Sequence, residues 1–268
     1  MFGLLFIKWL STALVVTGVS VAVVRLGPRL GGILAGTPIV LGPGYFFMLH
    51  EQSPAFVAEA ALGSLHAMLA TLMFCLCYVL LAGWFGASAS VALAAAIWLP
   101  VAAAAALLPG GVLLALAMFL LAMPSAIRLM HSLRLTRGKV SESPRWGDLL
   151  VRGALAGIIV CLATVVLDAI APAVSGIALS FPIGMLTIAL TLHQRHGPEV
   201  SRATLSDTQL GMLSLVAFSA VMAASVEYLN PTLVFGLALA TSLLVSALLW
   251  FLHRLIPVAS SRDDLRVP

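Results

Sequence analysis

Apolar residues dominate this chain in long continuous runs, and polar residues are confined to short breaks between them. Nine such runs cover about residues 4–26, 30–49, 55–82, 88–108, 112–131, 148–171, 174–193, 205–226 and 231–253. Each is close to the roughly 20 residues that a bilayer-spanning helix needs, and none alternates as a spanning β-strand would. The breaks carry turn residues: GPR at 27–29, HEQSP at 50–54, PGG at 109–111, GPE at 197–199 and NP at 230–231. One long polar stretch, HSLRLTRGKVSESPRWGD at 131–148, divides the chain near its middle. The pattern predicts an all-α polytopic membrane protein with about nine transmembrane helices.

Composition agrees and narrows the class. Of the 268 residues, 62% are hydrophobic and 9% charged, and the mean hydropathy is +1.13. A soluble domain carries about 25% charged residues, so too few polar side chains exist to cover a water-facing surface. The opening stretch MFGLLFIKWLSTALVVTGVSVAVV lacks a basic n-region and a small-residue cleavage site, which predicts a retained first helix. Cys75 and Cys77 point to different sides of one helix and Cys161 stands alone, so all three read as small apolar residues.

Charge placement sets the expected topology. With nine crossings, thirteen of the 14 Lys and Arg fall on one side and only Lys8 on the other. The positive-inside rule makes the crowded side cytoplasmic, with the N-terminus outside and the C-terminus inside.

The chain also repeats itself. Shifted by 144 residues, LFIKWLSTALVV (5–16) lies over LLVRGALAGIIV (149–160), and GPRLGGILAGTPI lies over APAVSGIALSFPI. Pro28 meets Pro172, Gly32 meets Gly176, Pro38 meets Pro182 and Pro54 meets Pro198. The predicted organisation is a four-helix unit at 4–108, a linker helix at 109–131, a basic loop at 132–147, a second unit at 148–253 and a tail at 254–268. Four crossings plus one linker place the second unit upside down, giving an inverted 4+1+4 repeat. That arrangement is found in many secondary transporters.

The run LLFIKWLSTALVV, the broken segment GGILAGTPIVLGP and the following SPAFVAEAALGSLHAMLATLMFCLCYVLL cover residues 4–83. In helix lengths and breaks this stretch resembles the GlpM family of small bacterial inner-membrane proteins. The resemblance implies a four-helix unit, here duplicated, a bacterial cytoplasmic (inner) membrane, and a loose association with exopolysaccharide production. It implies no catalytic residues.

Candidate chemistry centres on the second helix of each unit. Segment 30–49 contains five glycines with Pro38 and Pro43, and its counterpart 174–193 contains Gly176, Pro182 and Gly184. An interior proline removes a backbone donor and frees a carbonyl one turn back. In a membrane such groups must be met by protein or by a water-filled cavity. Paired interruptions in two halves point to a transporter binding site, with Thr37, Pro38, Tyr45, Ser180, Pro182, Thr187 and Thr191 as its lining. Close helix packing explains the same residues without a cavity.

Glu59 and His66 are seven apart on the third helix, on one stripe, with His66 near the bilayer midplane. They form a candidate proton- or ion-coupling pair. The plainer reading has His66 bonding a neighbouring helix and Glu59 reaching the outer surface. Asp168, Glu227 and Glu51 read as solvated outer helix ends. Thr204 and Asp207 read as the start of a helix, and His193 and His196 as a basic loop surface. Arg134, Arg137, Lys139 and Arg145 form a juxtamembrane basic run that sets topology or meets anionic lipid.

No zinc-protease, Walker, nucleophile-elbow or Cys/His metal spacing occurs. The reading contains no enzyme, cofactor, metal or nucleic-acid partner. The expected partners are the bilayer, a small solute of unknown identity and, in a homo-oligomer, further copies of the chain. Two functions fit: a secondary transporter or exporter, and an accessory or structural membrane protein in envelope polysaccharide assembly.

Overall fold

A computed structural model describes residues 2–25, 38–108, 110–133, 135, 145–166 and 171–255. The described elements are α1 (Phe2–Arg25), α2 (Leu41–Glu51), α3 (Pro54–Leu81), α4 (Ala87–Ala106), α5 (Val112–Ser132), α6 (Trp146–Cys161), α7 (Pro172–Leu179), α8 (Ile183–His196), α9 (Pro198–Thr208), α10 (Met212–Ser225) and α11 (Pro231–Leu255). A π-helical turn, Leu162–Val166, continues α6. No strand occurs among the described residues. Eight helical stretches there are long and apolar enough to cross a membrane, α7–α8 and α9–α10 each counting as one. The chain is an all-α, multi-pass membrane protein.

Local sequence accounts for the helix ends. Ser53 caps α3 by accepting from Phe56 N at 3.3 Å, and Pro54 follows at the first helical position, where its missing donor costs nothing. Gly197 takes φ +84, a left-handed conformation that lets α8 turn directly into Pro198 at the start of α9. Pro43 falls in the first turn of α2, where its nitrogen would have had no helical partner.

The long third helix is the hub. α3 packs against α4, α5, α7, α9 and α10, and apolar clusters lie along its length. The surrounding helices expose large side chains such as Ile7 and Leu14 on α1, Leu113 and Leu121 on α5, and Leu244 and Leu248 on α11. These faces suit lipid tails and would be untenable in water.

Glycine permits two close crossings. A Cβ at Gly176 would overlap the Ala60 carbonyl oxygen, and one at Gly63 would stand 2.5 Å from Ala173 O, so α3 and α7 meet backbone to backbone. On α6, a Cβ at Gly153 or Gly157 would stand 2.7 Å from Ala13 O or Trp9 O of α1. Small residues four apart allow this approach in lipid, where packing has to supply the association energy.

Several element boundaries recur at a spacing of 144 residues. Shifted by 144, α3 (54–81) coincides with α9–α10 (198–225), and the first residues of α1 and α4 fall on those of α6 and α11. α1 and α6 run antiparallel: Cys161 Sγ donates to Leu5 O at 3.4 Å, and Thr17 Oγ1 donates to Leu149 O at 3.4 Å. Under the shift, Cys161–Leu5 maps onto Thr17–Leu149, and Trp9–Gly157 maps onto Ala13–Gly153. α3 and α9 are antiparallel too, with Tyr78 on Ser201 and Cys75 on Thr208. α3 pairs with α4 as α10 pairs with α11, and α4 touches α8 as α11 touches α2.

The segment at 174–193, expected to be interrupted at Pro182, is two helices with the break at residues 180–182. Two other expectations change in detail. The segment expected to begin at 205 begins at Pro198, so Thr204 and Asp207 lie inside α9 and do not start it. The polar stretch PEVSRAT hides the helix from a hydropathy reading, although its Ser201 and Ala203 are buried. Of the segment at 30–49, residues 30–37 lie outside the described residues, and α2 begins at Leu41.

Candidate functional site

The break between α7 and α8 spans Ser180, Phe181 and Pro182. Pro182 has no amide hydrogen and caps α8, so the helical bonding cannot run through it. Opposite the break, α3 presents Ser64 and Thr71, each ten residues, or about 15 Å, from its nearer helix end. The site therefore lies at the centre of the bundle.

A chain of hydroxyl contacts holds the break. Ser64 Oγ donates to Gly176 O at 2.7 Å, so the Tyr45 hydroxyl, 2.7 Å from Ser64 Oγ, is the donor in that pair. Ser180 Oγ lies 3.0 Å from Gly176 O and 3.4 Å from Ser64 O. Thr71 Oγ1 lies 3.4 Å from Ser180 O and accepts from Trp98 Nε1 at 3.1 Å. Tyr45, Ser64, Thr71, Trp98 and Ser180 are all buried. Protein hydroxyls thus meet the carbonyls at the end of α7, and the break is packed shut in this conformation.

The expected lining residues divide. Tyr45, Ser180 and Pro182 come together here. Pro38 is buried at the approach to α2, where its carbonyl accepts from Gly42 N at 2.6 Å. Thr37 lies outside the described residues. Thr187 sits farther along α8, back-bonded to Ile183 O at 2.9 Å and accepting from Arg152 Nε at 3.2 Å, so it serves a charged group and not the break. Thr191 is half-buried on the same helix.

Glu59 and His66 are not hydrogen-bonded to each other. Glu59 is exposed near the start of α3, whereas His66 is 5% exposed and its Nε2 has no protein partner. Asp168 lies outside the described residues, as do Arg134, Arg137 and Lys139. No group of three His, Cys, Asp or Glu that could hold a metal occurs among the described residues.

Two polar groups escaped the sequence reading. Lys8, 1% exposed, pairs with Glu51, lies 3.3 Å from Thr164 Oγ1, and stands 5.6 Å from the centre of the Phe47 ring. Its signal was present in the sequence: one cation alone on the poorly charged side needs a counter-charge. Tyr78 OH gathers Ser201 Oγ at 2.7 Å, His193 Nδ1 at 3.0 Å and Ala189 O at 3.2 Å. His193 is accordingly a half-buried, bonded residue and not part of a solvated loop surface.

No family model, curated protein or solved structure matches the chain.

Proposed function

We propose that this protein is a secondary transporter or exporter of a small solute in a bacterial cytoplasmic membrane. Two four-helix units in inverted repeat would expose a central site to each side in turn. The observation that carries the reading is the antiparallel pairing of α1 with α6 and of α3 with α9 at one 144-residue offset. Units related this way exchange the two faces of the membrane, which is the geometry alternating access requires. Arg145, Arg195 and Arg202 crowd one end of the bundle, and the positive-inside rule makes that end cytoplasmic. The Glu51 end then faces outside. The resemblance of residues 4–83 to the GlpM family supports the same membrane.

The site would be the α7–α8 break with Tyr45, Ser64, Thr71 and Ser180. Hydroxyls and an opened carbonyl suit a neutral, cationic or amphipathic solute, because they can exchange protein partners for solute groups without burying a charge. One observation favours the accessory-protein reading instead: every carbonyl named at the break already has a protein partner. A static bundle needs no more than that.

Cysteine accessibility separates the two. With Cys75, Cys77 and Cys161 replaced by Ala, a Ser180→Cys variant in sealed vesicles is treated with a membrane-impermeant maleimide. Transport predicts labelling from either side, with the ratio moved by an imposed proton or ion gradient. A thiol that resists reagent from both sides under all gradients supports the accessory role.

A further inference from the structure

We infer that two ion pairs, Lys8–Glu51 and Asp148–Arg195, are the outer and inner gates of this central site. The inference rests on the alternating-access reading above. Both pairs join the first helix of a unit to the end of its second: α1 to the last residue of α2, and α6 to the next-to-last residue of α8. Glu51 and Arg195 are themselves 144 residues apart, as are Lys8 and Arg152. Arg152, one turn after Asp148, donates to Thr187 of α8 as Lys8 lies against Thr164 beyond α6.

The pairs stand at opposite ends of the bundle. α2 turns into α3 through Gln52 and Ser53, so Glu51 lies beside the beginning of α3. α8 runs parallel to α3, with Met185 on Cys75 and His193 on Tyr78, so Arg195 lies beside its end. The duplicated position therefore carries an acid on one face and a base on the other, and each has an opposite charge waiting on the antiparallel α1–α6 pair. Between them lies the closed break at Ser180.

Both pairs are formed together here, as a state shut at both ends would have them. Arg195 Nη2 lies 2.9 and 2.8 Å from the two Asp148 oxygens. Lys8 is buried and needs Glu51 for as long as it is dry. When that end opens, water replaces the partner, and an ion pair in water is worth little. The Lys8 contact is thus firm when closed and cheap to break when wet, whereas the Asp148–Arg195 pair, about a quarter exposed on each side chain, is the weaker of the two. On the Lys8 side the contacted Thr164 belongs to the π-helical turn that continues α6, a local irregularity frequent at functional sites.

The test uses the Ser180→Cys reporter in the chain lacking native cysteines, in right-side-out and inverted vesicles, with a membrane-impermeant maleimide. Glu51→Gln is expected to raise the outside labelling rate about tenfold and lower the inside rate, and Arg195→Gln to do the reverse. Exchanging the charges, Lys8→Glu with Glu51→Lys, should restore the parent rates. If Glu51→Gln alone fails to accumulate because Lys8 is left unpaired, Lys8→Met with Glu51→Gln removes the pair whole and carries the same expectation. Parent labelling that alternates between sides but ignores every ion-pair variant overturns the gates and leaves the transporter. A single variant that raises labelling from both sides also overturns them, since loosened packing does that. A reporter silent in every background overturns both.

Discussion

At the residue scale, the centre of the bundle depends on a few hydroxyls with defined directions. Tyr45→Phe removes a donor to Ser64 but leaves Ser64 bonded to Gly176, so it should cost only about 1 kcal/mol. Thr71→Val takes the acceptor from the buried Trp98 indole and should cost more, about 1–3 kcal/mol. Unfolding in detergent, followed by tryptophan fluorescence, ranks the two, and equal losses would contradict the assigned directions. The break at Pro182 was legible in sequence because a helix breaker acts locally. Glu59 and His66 share a helical stripe as their spacing implies, but not an environment. The stripe at 59, 66, 73 and 80 is exposed at Glu59, Met73 and Leu80 and covered only around His66. Helical spacing puts residues on one face but does not say where along the helix that face is covered.

At the scale of elements, backbone contact at glycine decides how the helices cross. Gly176→Val should prevent the α3–α7 crossing, because the new side chain meets the Ala60 carbonyl, which is rigid helix backbone. Gly157→Val should wedge α1 from α6 at Trp9. Each is expected to cost about 3 kcal/mol or more, read as loss of monodisperse protein after extraction, while Gly184→Ala, with open space at its Cβ, should be tolerated. Normal yield of Gly176→Val would contradict the crossing. The sequence singled out Gly176, which makes the α3–α7 crossing, but not Gly153 and Gly157, which make the close approach of α6 to α1. Spacing marks which helices can approach closely and leaves the partner undetermined. The early start of α9 was hidden for a related reason: hydropathy averages a helix whose buried side is small and polar, as Ser201 is.

For the whole molecule, the fold class was legible because the apolar runs are long, continuous and too poor in charge to cover a water-facing surface. Which helices would touch was not, because the crossing count sets the direction of each helix but not its neighbours. The structure runs α1 antiparallel to α6 and α3 antiparallel to α9, and places the α3–α4 loop and the α10–α11 loop at opposite ends of the bundle. Each loop carries an exposed aromatic at the same position, Trp84 at 88% and Tyr228 at 80%. Such rings sit well at a membrane–water interface. The most direct measurement is therefore the side on which these two loops lie. Single cysteines at Trp84 and Tyr228, in a chain lacking Cys75, Cys77 and Cys161, would be treated with an impermeant maleimide in right-side-out vesicles. Tyr228→Cys is expected to react, and Trp84→Cys to react only after the membrane is permeabilised. Both reacting from the same side would make the units parallel, and alternating access between inverted halves would no longer describe this protein.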